Sequence, residues 1–392
     1  MAFSVPGWNH PRFQSSERKR VTENGVLTLS EARLSQYAKL RDLTDPAQGK
    51  HAINLVLDRL VTAVSVWSGL PAEIFRRDPV VPIEDNFDRL YYDANAIARS
   101  TRYTHHVSQD RILRTHTTAA IPSILTETLN DRLIVCPGLV YRRDVVDKTH
   151  VGEPHQADLW IVRQGRLGRL DLQNMIKAVV HAILPDHKIR CNETWHSYTV
   201  NGLEIEVQIG DRWIELFECG ECHPWLLHDA GFDCGSWSGL AMGVGLDRLV
   251  MLLKGIDDIR LLRSTDPRVS NQMQNLDPYR IVSNQPPMRR DLSLCISDTD
   301  MEVFGDRVRD ILGDDADWIE DIELLSVSNY ESTPEKAKER LGMAPGQSNI
   351  LIRITLRSVS RSLSRDEGNR VYDLLYRALH EGSAGYVRTD TR

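Results

Sequence analysis

The most informative segment of this chain reads VYRRDVVDKTHVGEPHQAD over residues 140–158. It lies between two apolar stretches, 134–140 and 159–162, which predict two β-strands joined by a long polar loop. Arginine offers phosphate oxygens a two-pronged donor and keeps its charge at any working pH, so such a loop suits a polyphosphate ligand. A solvated, charged hairpin is the alternative interpretation.

A second informative segment is GVGLDR, residues 243–248, which follows a glycine-rich stretch and opens a helix whose apolar stripe begins at Leu246. It lacks the third glycine of a dinucleotide-binding fingerprint. Glycines at a strand-to-helix junction let backbone approach a ligand closely, and Arg248 then directs a guanidinium to the same place. The alternative is a helix N-terminus with a solvent-facing arginine.

Hydrophobic periodicity predicts the elements around these two segments. Residues 53–64 show the i, i+3, i+4, i+7 spacing of a helix with one buried face, which ends at Gly69. A second helix is predicted at about 171–184, and short strands are predicted around 203–209 and 213–219. Residues 1–50 are polar and read as an N-terminal appendage, so a folded domain is expected over 51–265.

The periodicity lapses over residues 266–285, whose composition is typical of a linker. Residues 286–392 then follow the order strand, helix, strand, strand, helix, which predicts a small ferredoxin-like α+β domain. Arg353 and Arg357 share the face opposite its core, and with Arg361 they form a candidate phosphate-backbone track. A solvated sheet face is the alternative, because this region carries 15 Lys and Arg against 20 Asp and Glu.

Composition excludes several classes of protein. The chain has 392 residues, of which 41% are hydrophobic and 26% charged, so it can bury full cores and is not disordered. Its net charge of −7 excludes a broadly basic nucleic-acid coat. No apolar run reaches the roughly 18 residues of a membrane span, and residues 1–20 lack a signal-peptide pattern, so a cytoplasmic location without membrane partner is expected.

The six cysteines are too few and too irregularly spaced for a disulfide scaffold. A covalent haem attachment motif is formally matched by Cys219-Gly220-Glu221-Cys222-His223. Cys219 and Cys222 could also be ligands of a zinc ion. The segment continues a predicted strand, and no second C-x-x-C pair follows. Ordinary reduced cysteines are therefore favoured over a metal or haem.

Taken together, the segments resemble phenylalanyl-tRNA synthetases of the single-chain type. The motifs that carry this resemblance are LRTHTT at 113–118, VYRRD at 140–144 with the residues that follow it, 242–248 with DIRL at 258–261, RDLS at 290–293 and RSLS at 361–364. The resemblance implies an α+β chain: a class II synthetase antiparallel sheet flanked by helices, followed by a ferredoxin-fold anticodon-binding domain. It also implies activation of an amino acid by ATP with Mg²⁺ and transfer to tRNA.

The same resemblance assigns roles to residues of this chain. Arg142 and Arg248 would be catalytic and contact ATP, whose site would also include Asp144, His150, His155 and Glu215. The amino acid's ammonium and carboxylate would be surrounded by His116, Thr118, Gln156 and Asp158. Glu215 is the candidate Mg²⁺ ligand, with Glu218 near it, and the tRNA would meet Arg353, Arg357 and Arg361.

The chain departs from the family where the amino acid side chain is expected to bind. His196-Ser197-Tyr198-Thr199-Val200-Asn201 stands where the family has F-P-F-T-E-P, so His196 and Tyr198 replace the two phenylalanines that bed the substrate ring. Glu218 and Glu221 add two carboxylates nearby. Burying a carboxylate without a partner costs roughly several kcal/mol of free energy, so such groups call for a polar partner. We therefore expect a pocket for phenylalanine or a more polar analogue. These side chains could instead point away from the ring.

Three functions are considered at this point, and the first of them is the one predicted. The chain is a tRNA ligase, a paralogue that forms an aminoacyl adenylate for a non-tRNA acceptor, or a non-catalytic protein that keeps only the fold. The presence of both Arg142 and Arg248 disfavours the third. The expected assembly is a monomer or a homodimer.

Overall fold

The computed structural model describes residues 22–23, 26–145, 147–282, 286–359 and 361–384. Residues 1–21 of the predicted appendage lie outside the described residues. The strands are β1 (Thr22–Glu23), β2 (Val26–Leu27), β3 (Ala72–Ile74), β4 (Val80–Pro82), β5 (Arg111–Leu113), β6 (Arg132–Leu139), β7 (His155–Gln164), β8 (Ile189–Glu193), β9 (Thr199–Ile209), β10 (Arg212–Cys222), β11 (Trp237–Gly245), β12 (Met288–Ile296), β13 (Ile319–Asn329) and β14 (Ser348–Leu356). The helices are α1 (Glu31–Ala38), α2 (Ala52–Ser68), α3 (Ile83–Asn86), α4 (Ile121–Leu125), α5 (Arg169–Ile183), α6 (Pro224–Asp229), α7 (Leu246–Lys254), α8 (Pro267–Ser270), α9 (Met301–Leu312), α10 (Glu335–Leu341) and α11 (Arg365–Leu379).

A seven-stranded sheet forms the centre of the first domain, in the order β3-β6-β7-β11-β10-β9-β8. Its strands are antiparallel except for the β3–β6 pair. This is the expected α+β architecture of an antiparallel sheet flanked by helices. Strands β6 and β7 form the predicted hairpin, although β7 runs to Gln164 and is longer than the apolar stretch that predicts it.

The main core lies between one face of this sheet and helices α2, α5 and α7. Side chains alternate between the two faces of a strand, so Leu159 and Ile161 of β7 enter this core, whereas Trp160 enters a smaller core on the opposite face. The smaller core covers only part of that face. The rest of the face is open and carries the cavity described below.

Helix α2 begins and ends where its sequence predicts. The Nδ1 atom of His51 accepts a hydrogen bond from the N–H of Ile53 (3.1 Å), which caps the first turn. Gly69 follows the last turn with φ 73°, a left-handed conformation that suits glycine at this position. Leu60 is fully buried against the sheet, whereas Val66 is 79% exposed on the outer face of the same helix.

The C-terminal domain has a three-stranded antiparallel sheet in the order β12-β14-β13 among the described residues, with a core shared by α9 and α11. The predicted order of strands and helices is present. Helix α10, which lies between β13 and β14, is missing from the sequence prediction. The segment 334–341 is short and strongly charged, so its pattern predicts no buried face.

The predicted appendage and linker are packed against the first domain where the structure describes them. Tyr37 and Leu43 of the N-terminal segment are buried, and Val269 and Met273 of the predicted linker belong to the main core. Their apolar side chains are too widely spaced in the sequence to predict this burial.

The C-terminal domain contacts the loop between β6 and β7. Arg309 of α9 donates to the carbonyl oxygens of Asp144 (2.8 Å) and Val145 (2.7 Å). Asp306 forms a buried ion pair with Arg143 (3.4 Å). The loop is thus held from both sides, by its own strands and by the second domain. In the described part of the chain, no helix combines the length and apolar character needed to cross a bilayer.

Shortening Leu60 to alanine is expected to lower the free energy of unfolding by about 2–5 kcal/mol, because it leaves a cavity between α2 and the sheet. Val66→Ala on the exposed side of the same helix is the control and should change it by less than about 0.5 kcal/mol. Urea denaturation monitored by circular dichroism measures both. Equal midpoints for the two variants would contradict the packing of α2.

Candidate functional site

An open cavity of about 760 Å³ lies on the uncovered face of the seven-stranded sheet. The residues predicted for nucleotide and amino acid binding, except Glu221, come together here from distant parts of the chain. The cavity is lined by His116, Thr118, Arg142, Asp144, His150, His155, Gln156, Asp158, His196, Tyr198, Glu215, Glu218 and Arg248.

The register of three neighbouring strands builds the floor of the cavity. Asp158 of β7 and Glu218 of β10 both pair with Gly243 of β11, which lies between them. Gln156 pairs with Gly245 in the next row. A Cβ at either glycine would meet nothing within 4 Å in the described part of the chain, so both positions leave open space above the sheet. The glycines therefore form a trough in which a ligand can lie against backbone.

A β-bulge in β10 brings two carboxylates to this face. Residues three apart on a regular strand point to opposite faces, so Glu215 and Glu218 would be separated. The ladder with β9 shifts between Glu215 and Phe217, and both Leu216 and Phe217 pack in the main core. Glu215 and Glu218 consequently both line the cavity, an arrangement that the sequence spacing does not predict.

Two guanidinium groups face one end of the cavity. Arg248 of α7 donates through NH1 to Oε2 of Glu215 (2.9 Å). Burial lowers the pKa of Arg142, as does repulsion from Arg248, while Asp144 and Glu215 act in the opposite direction. The Nε atom of Arg142 is buried with no hydrogen-bond partner among the described residues. This end of the cavity is therefore suited to an anion with several oxygens.

His150 lies at the same end of the cavity, and its positive charge is stabilised. Its Nδ1 lies 2.7 Å from Oδ2 of Asp147, and this hydrogen bond raises the pKa of His150. Burial acts to raise the pKa of Asp147, but the hydrogen bonds from His150 and Thr149 hold it below its usual value.

His155 has a structural role that the sequence does not reveal. It is fully buried, and its Nε2 accepts from the N–H of Leu43 (3.1 Å), so the ring proton is on Nδ1 and is donated to Asp247 (3.1 Å). Both ring nitrogens are hydrogen-bonded within the protein. The imidazole therefore holds α7 in position rather than donating to a ligand. Asp247 is missing from the sequence prediction. A carboxylate next to Arg248, within the apolar stripe of a helix, could have indicated a buried functional group.

Asp158 lies at the other end of the cavity and is extensively hydrogen-bonded. Its carboxylate accepts from Thr117 (2.6 Å), Thr118 (3.0 Å) and the indole N–H of Trp160 (2.9 Å). Burial raises its pKa even though these three donors favour the ionised form. Thr118 thus orients Asp158, and Gln156 retains its side chain for a ligand.

Aromatic side chains form the wall at this end. The ring of His116 stacks on Tyr92 with centroids 5.6 Å apart and planes 11° apart. Burial, and to a smaller extent Arg142, lowers the pKa of His116 to about 3, so its imidazole is neutral. Tyr198 stacks with Trp160, and burial raises its pKa well above the usual range. Tyr92 is absent from the sequence prediction because no motif marks it.

Glu218 and Glu221, the two carboxylates predicted near the amino acid pocket, differ in position. Oε2 of Glu218 lies 2.9 Å from Nε2 of His196 and borders the cavity. Glu221 lies outside the cavity, where it accepts from Asn201 (2.9 Å) on the protein surface. Glu221 is therefore misassigned to the amino-acid site, because the strand turns its side chain away from the cavity.

The three arginines predicted to meet tRNA are all in ion pairs. Arg353 pairs with Asp291, Arg361 with Glu367, and Arg357 with Glu320. Glu320 also binds Lys148 of the β6–β7 loop (3.0 Å), so Arg357 belongs to the contact between the two domains. The three do not form one continuous track of unpaired cations.

The cysteines of the C-x-x-C-H motif lie on opposite faces of the sheet. Cys219 packs in the main core and Cys222 in the smaller core. Burial raises the pKa of both thiols, that of Cys219 to about 12. This separation is incompatible with a shared metal ion.

Comparison with known proteins agrees with this architecture. Residues 40–273 match the family model of the tRNA synthetases class II core domain (F). The chain is 33% identical over 236 residues to the phenylalanine–tRNA ligase alpha subunit of Prochlorococcus marinus (strain MIT 9313), covering 59% of this chain and 69% of the relative. It is 31% identical over 263 residues to the alpha subunit of Nostoc punctiforme, covering 66% and 77%.

A relative without a subunit designation matches more of the chain. The probable mitochondrial phenylalanine–tRNA ligase of Drosophila melanogaster is 29% identical over 356 residues, covering 75% of this chain and 74% of the relative. The family model spans more than half of the chain and contains all of the sequence-predicted site residues that line the cavity. The protein therefore belongs to the class II aminoacyl-tRNA synthetases and is similar to phenylalanine–tRNA ligases.

Proposed function

We propose that this protein activates an amino acid with ATP and transfers it to tRNA, as a phenylalanine–tRNA ligase-like enzyme. The observation that carries the proposal is the pair Arg142 and Arg248 at one end of a cavity whose floor is glycine. Two cations that repel each other, one with a buried and unpartnered Nε, favour a polyanionic ligand.

The activation step joins the amino acid carboxylate to the α-phosphorus of ATP and releases pyrophosphate. Arg142 would neutralise the charge that builds on the α-phosphate oxygens, and Arg248 would hold the nucleotide against the trough at Gly245. Gln156 would hold the amino acid beside it, and Asp158, whose carboxylate accepts from Thr117, Thr118 and Trp160, would shape this end of the cavity. Because these groups are already in place on neighbouring strands, most of the rate enhancement would come from positioning and charge stabilisation.

The carboxylates fit a metal ion that enters with the nucleotide. Within the described residues, no three His, Cys, Asp or Glu side chains come together as a ligand set. Mg²⁺ in nucleotide sites is typically held by one or two carboxylates together with phosphate oxygens. Glu215 accepts from Arg248 and lies at the end of the cavity that carries the two arginines, so it is suited to this role, whereas Glu218 is bonded to His196 at the aromatic end. When bound, Mg²⁺ would neutralise phosphate charge.

The extent of the matches supports a single-chain enzyme. The Drosophila relative covers 75% of this chain, whereas the Prochlorococcus alpha subunit covers 59%. The additional C-terminal domain would bind tRNA. Assembly as a monomer or homodimer and a cytoplasmic location stay predictions.

The proposed function is tested by amino-acid-dependent exchange of pyrophosphate into ATP, followed by charging of total tRNA. We expect exchange with an aromatic amino acid and formation of aminoacyl-tRNA. Exchange without charging of any tRNA would contradict the transfer step. ATP binding without exchange for any amino acid would contradict the activation step.

Arg142→Ala is expected to lower kcat for pyrophosphate exchange roughly 10²–10³-fold, because one preorganised donor to the transition state is lost. Arg166→Ala is the control, since Arg166 is an exposed arginine outside the cavity. Steady-state exchange measures both. A loss of less than threefold for Arg142→Ala would show that Arg142 does not act in catalysis.

The KM for ATP is expected to rise about fivefold as the pH increases through the raised pKa of His150, because its positive charge beside the nucleotide is then lost. The charge is fully present below pH 6.5 and disappears only above the raised value. Asp147→Asn removes the negative charge that strengthens this hydrogen bond and raises the pKa of His150, so the rise should move to lower pH. His150→Asn should have a KM without this pH dependence, and an unchanged profile in that variant would refute the assignment.

A further inference from the structure

The cavity contains a second acidic group whose position the activation step does not explain. Glu218 lies on the floor face of the sheet and lines the cavity, and 40% of its side chain is exposed. His196 donates to it, and this bond, together with the attraction of Arg142, holds the pKa of Glu218 below its usual value. Glu218 is therefore an ionised carboxylate at neutral pH.

Glu218 and Asp158 lie on opposite sides of the glycine trough. Both pair with Gly243, so their Cα atoms are separated by two strand spacings, roughly 10 Å. The carboxylate of Asp158 is occupied by two threonine hydroxyls and an indole N–H. Among the described residues, Glu218 accepts one hydrogen bond, from His196, and it keeps acceptor capacity towards the cavity.

The pair formed by Glu218 and His196 borders the aromatic end of the cavity. The ring of His196 packs against Tyr198 with centroids 5.6 Å apart, and Tyr198 stacks on Trp160 (6.0 Å). Tyr92 and His116 stand beside them. A planar substrate ring packed against this wall of the cavity would present its edge to Glu218.

An unsubstituted phenyl ring at this position would be penalised. It would remove water from an ionised carboxylate and return no hydrogen bond. A hydroxyl or amino group on the ring would replace the lost water with a charge-assisted hydrogen bond. The aromatic wall and the ionised acceptor together select a ring that carries a donor.

We propose that the substrate is an aromatic amino acid whose ring bears a hydrogen-bond donor, and that Glu218, oriented by His196, discriminates against phenylalanine. This inference rests on the proposed function, because it assumes that the cavity binds the amino acid to be activated. Glu218 is the specificity-determining residue, and His196 is a positioning residue that acts through it.

The test compares phenylalanine, tyrosine and 4-aminophenylalanine on the full chain. Calorimetric binding in the presence of a non-hydrolysable ATP analogue gives the affinity for each amino acid, and pyrophosphate exchange gives kcat/KM. For the wild type, at least one donor-bearing amino acid is expected to exceed phenylalanine roughly tenfold to 100-fold, the value of a hydrogen bond to a charged group.

Glu218→Gln removes the charge at constant shape and is expected to reduce this preference at least tenfold, by weakening affinity for the donor-bearing amino acids and raising affinity for phenylalanine. Glu221→Gln is the matched control, because it alters a surface glutamate of the same strand outside the cavity. His196→Phe should weaken the preference in the same direction, since Glu218 loses its partner. Thermal unfolding of each variant establishes that it is folded.

Three results would overturn the inference. The first is a wild type that binds phenylalanine as tightly as the donor-bearing amino acids. The second is a Glu218→Gln variant that loses affinity for all three equally, which would place the α-ammonium group at Glu218. The third is binding of none of them. Selective binding without pyrophosphate exchange would support the inference and contradict the proposed function. Failure of the inference can therefore be distinguished from failure of the proposed function.

Discussion

The cavity depends on one buried hydrogen-bonded pair, His155 and Asp247. Asp247 accepts both the backbone N–H (2.5 Å) and the ring Nδ1–H of His155, and the opposite ring nitrogen accepts the N–H of Leu43. Burial acts to raise the pKa of Asp247, but the hydrogen bonds from His155 and the attraction of Arg263 hold it below its ordinary value. A buried charge stays in place only when it is paired and hydrogen-bonded in this way.

This pair fixes the relation between the start of β7 and the first turn of α7. Gln156 and Arg248 are the next residues along each element, so their separation is set by the bond between His155 and Asp247. The N–H of Leu43 connects the N-terminal segment to the same point. Three distant parts of the chain are thus aligned before any ligand binds, as catalysis by positioning requires.

The uncovered face of the sheet illustrates how backbone irregularity creates a site. A regular β10 would place either Glu215 or Glu218 in the main core. The bulge at Leu216 instead adds an apolar residue to the core and directs both carboxylates to the cavity. Gly243 and Gly245 complete the arrangement, because a side chain at either position would fill the trough between the carboxylates.

The amino-acid sequence by itself determined the class of fold and the inventory of charged groups. The periodicity of 53–64 and the residue after it, Gly69, are local signals, so α2 was predictable with its bounds. The 140–158 loop was predictable as a candidate ligand site, because its arginines and histidines can be identified from residue type alone. Only the tertiary structure decided which of them face the cavity, since that depends on strand register. The structure places Glu218 at the cavity and Glu221 outside it, gives His155 a structural role, and adds Tyr92 to the cavity wall. None of these was predictable, because register, bulges and contacts between distant segments leave no periodic pattern in the sequence.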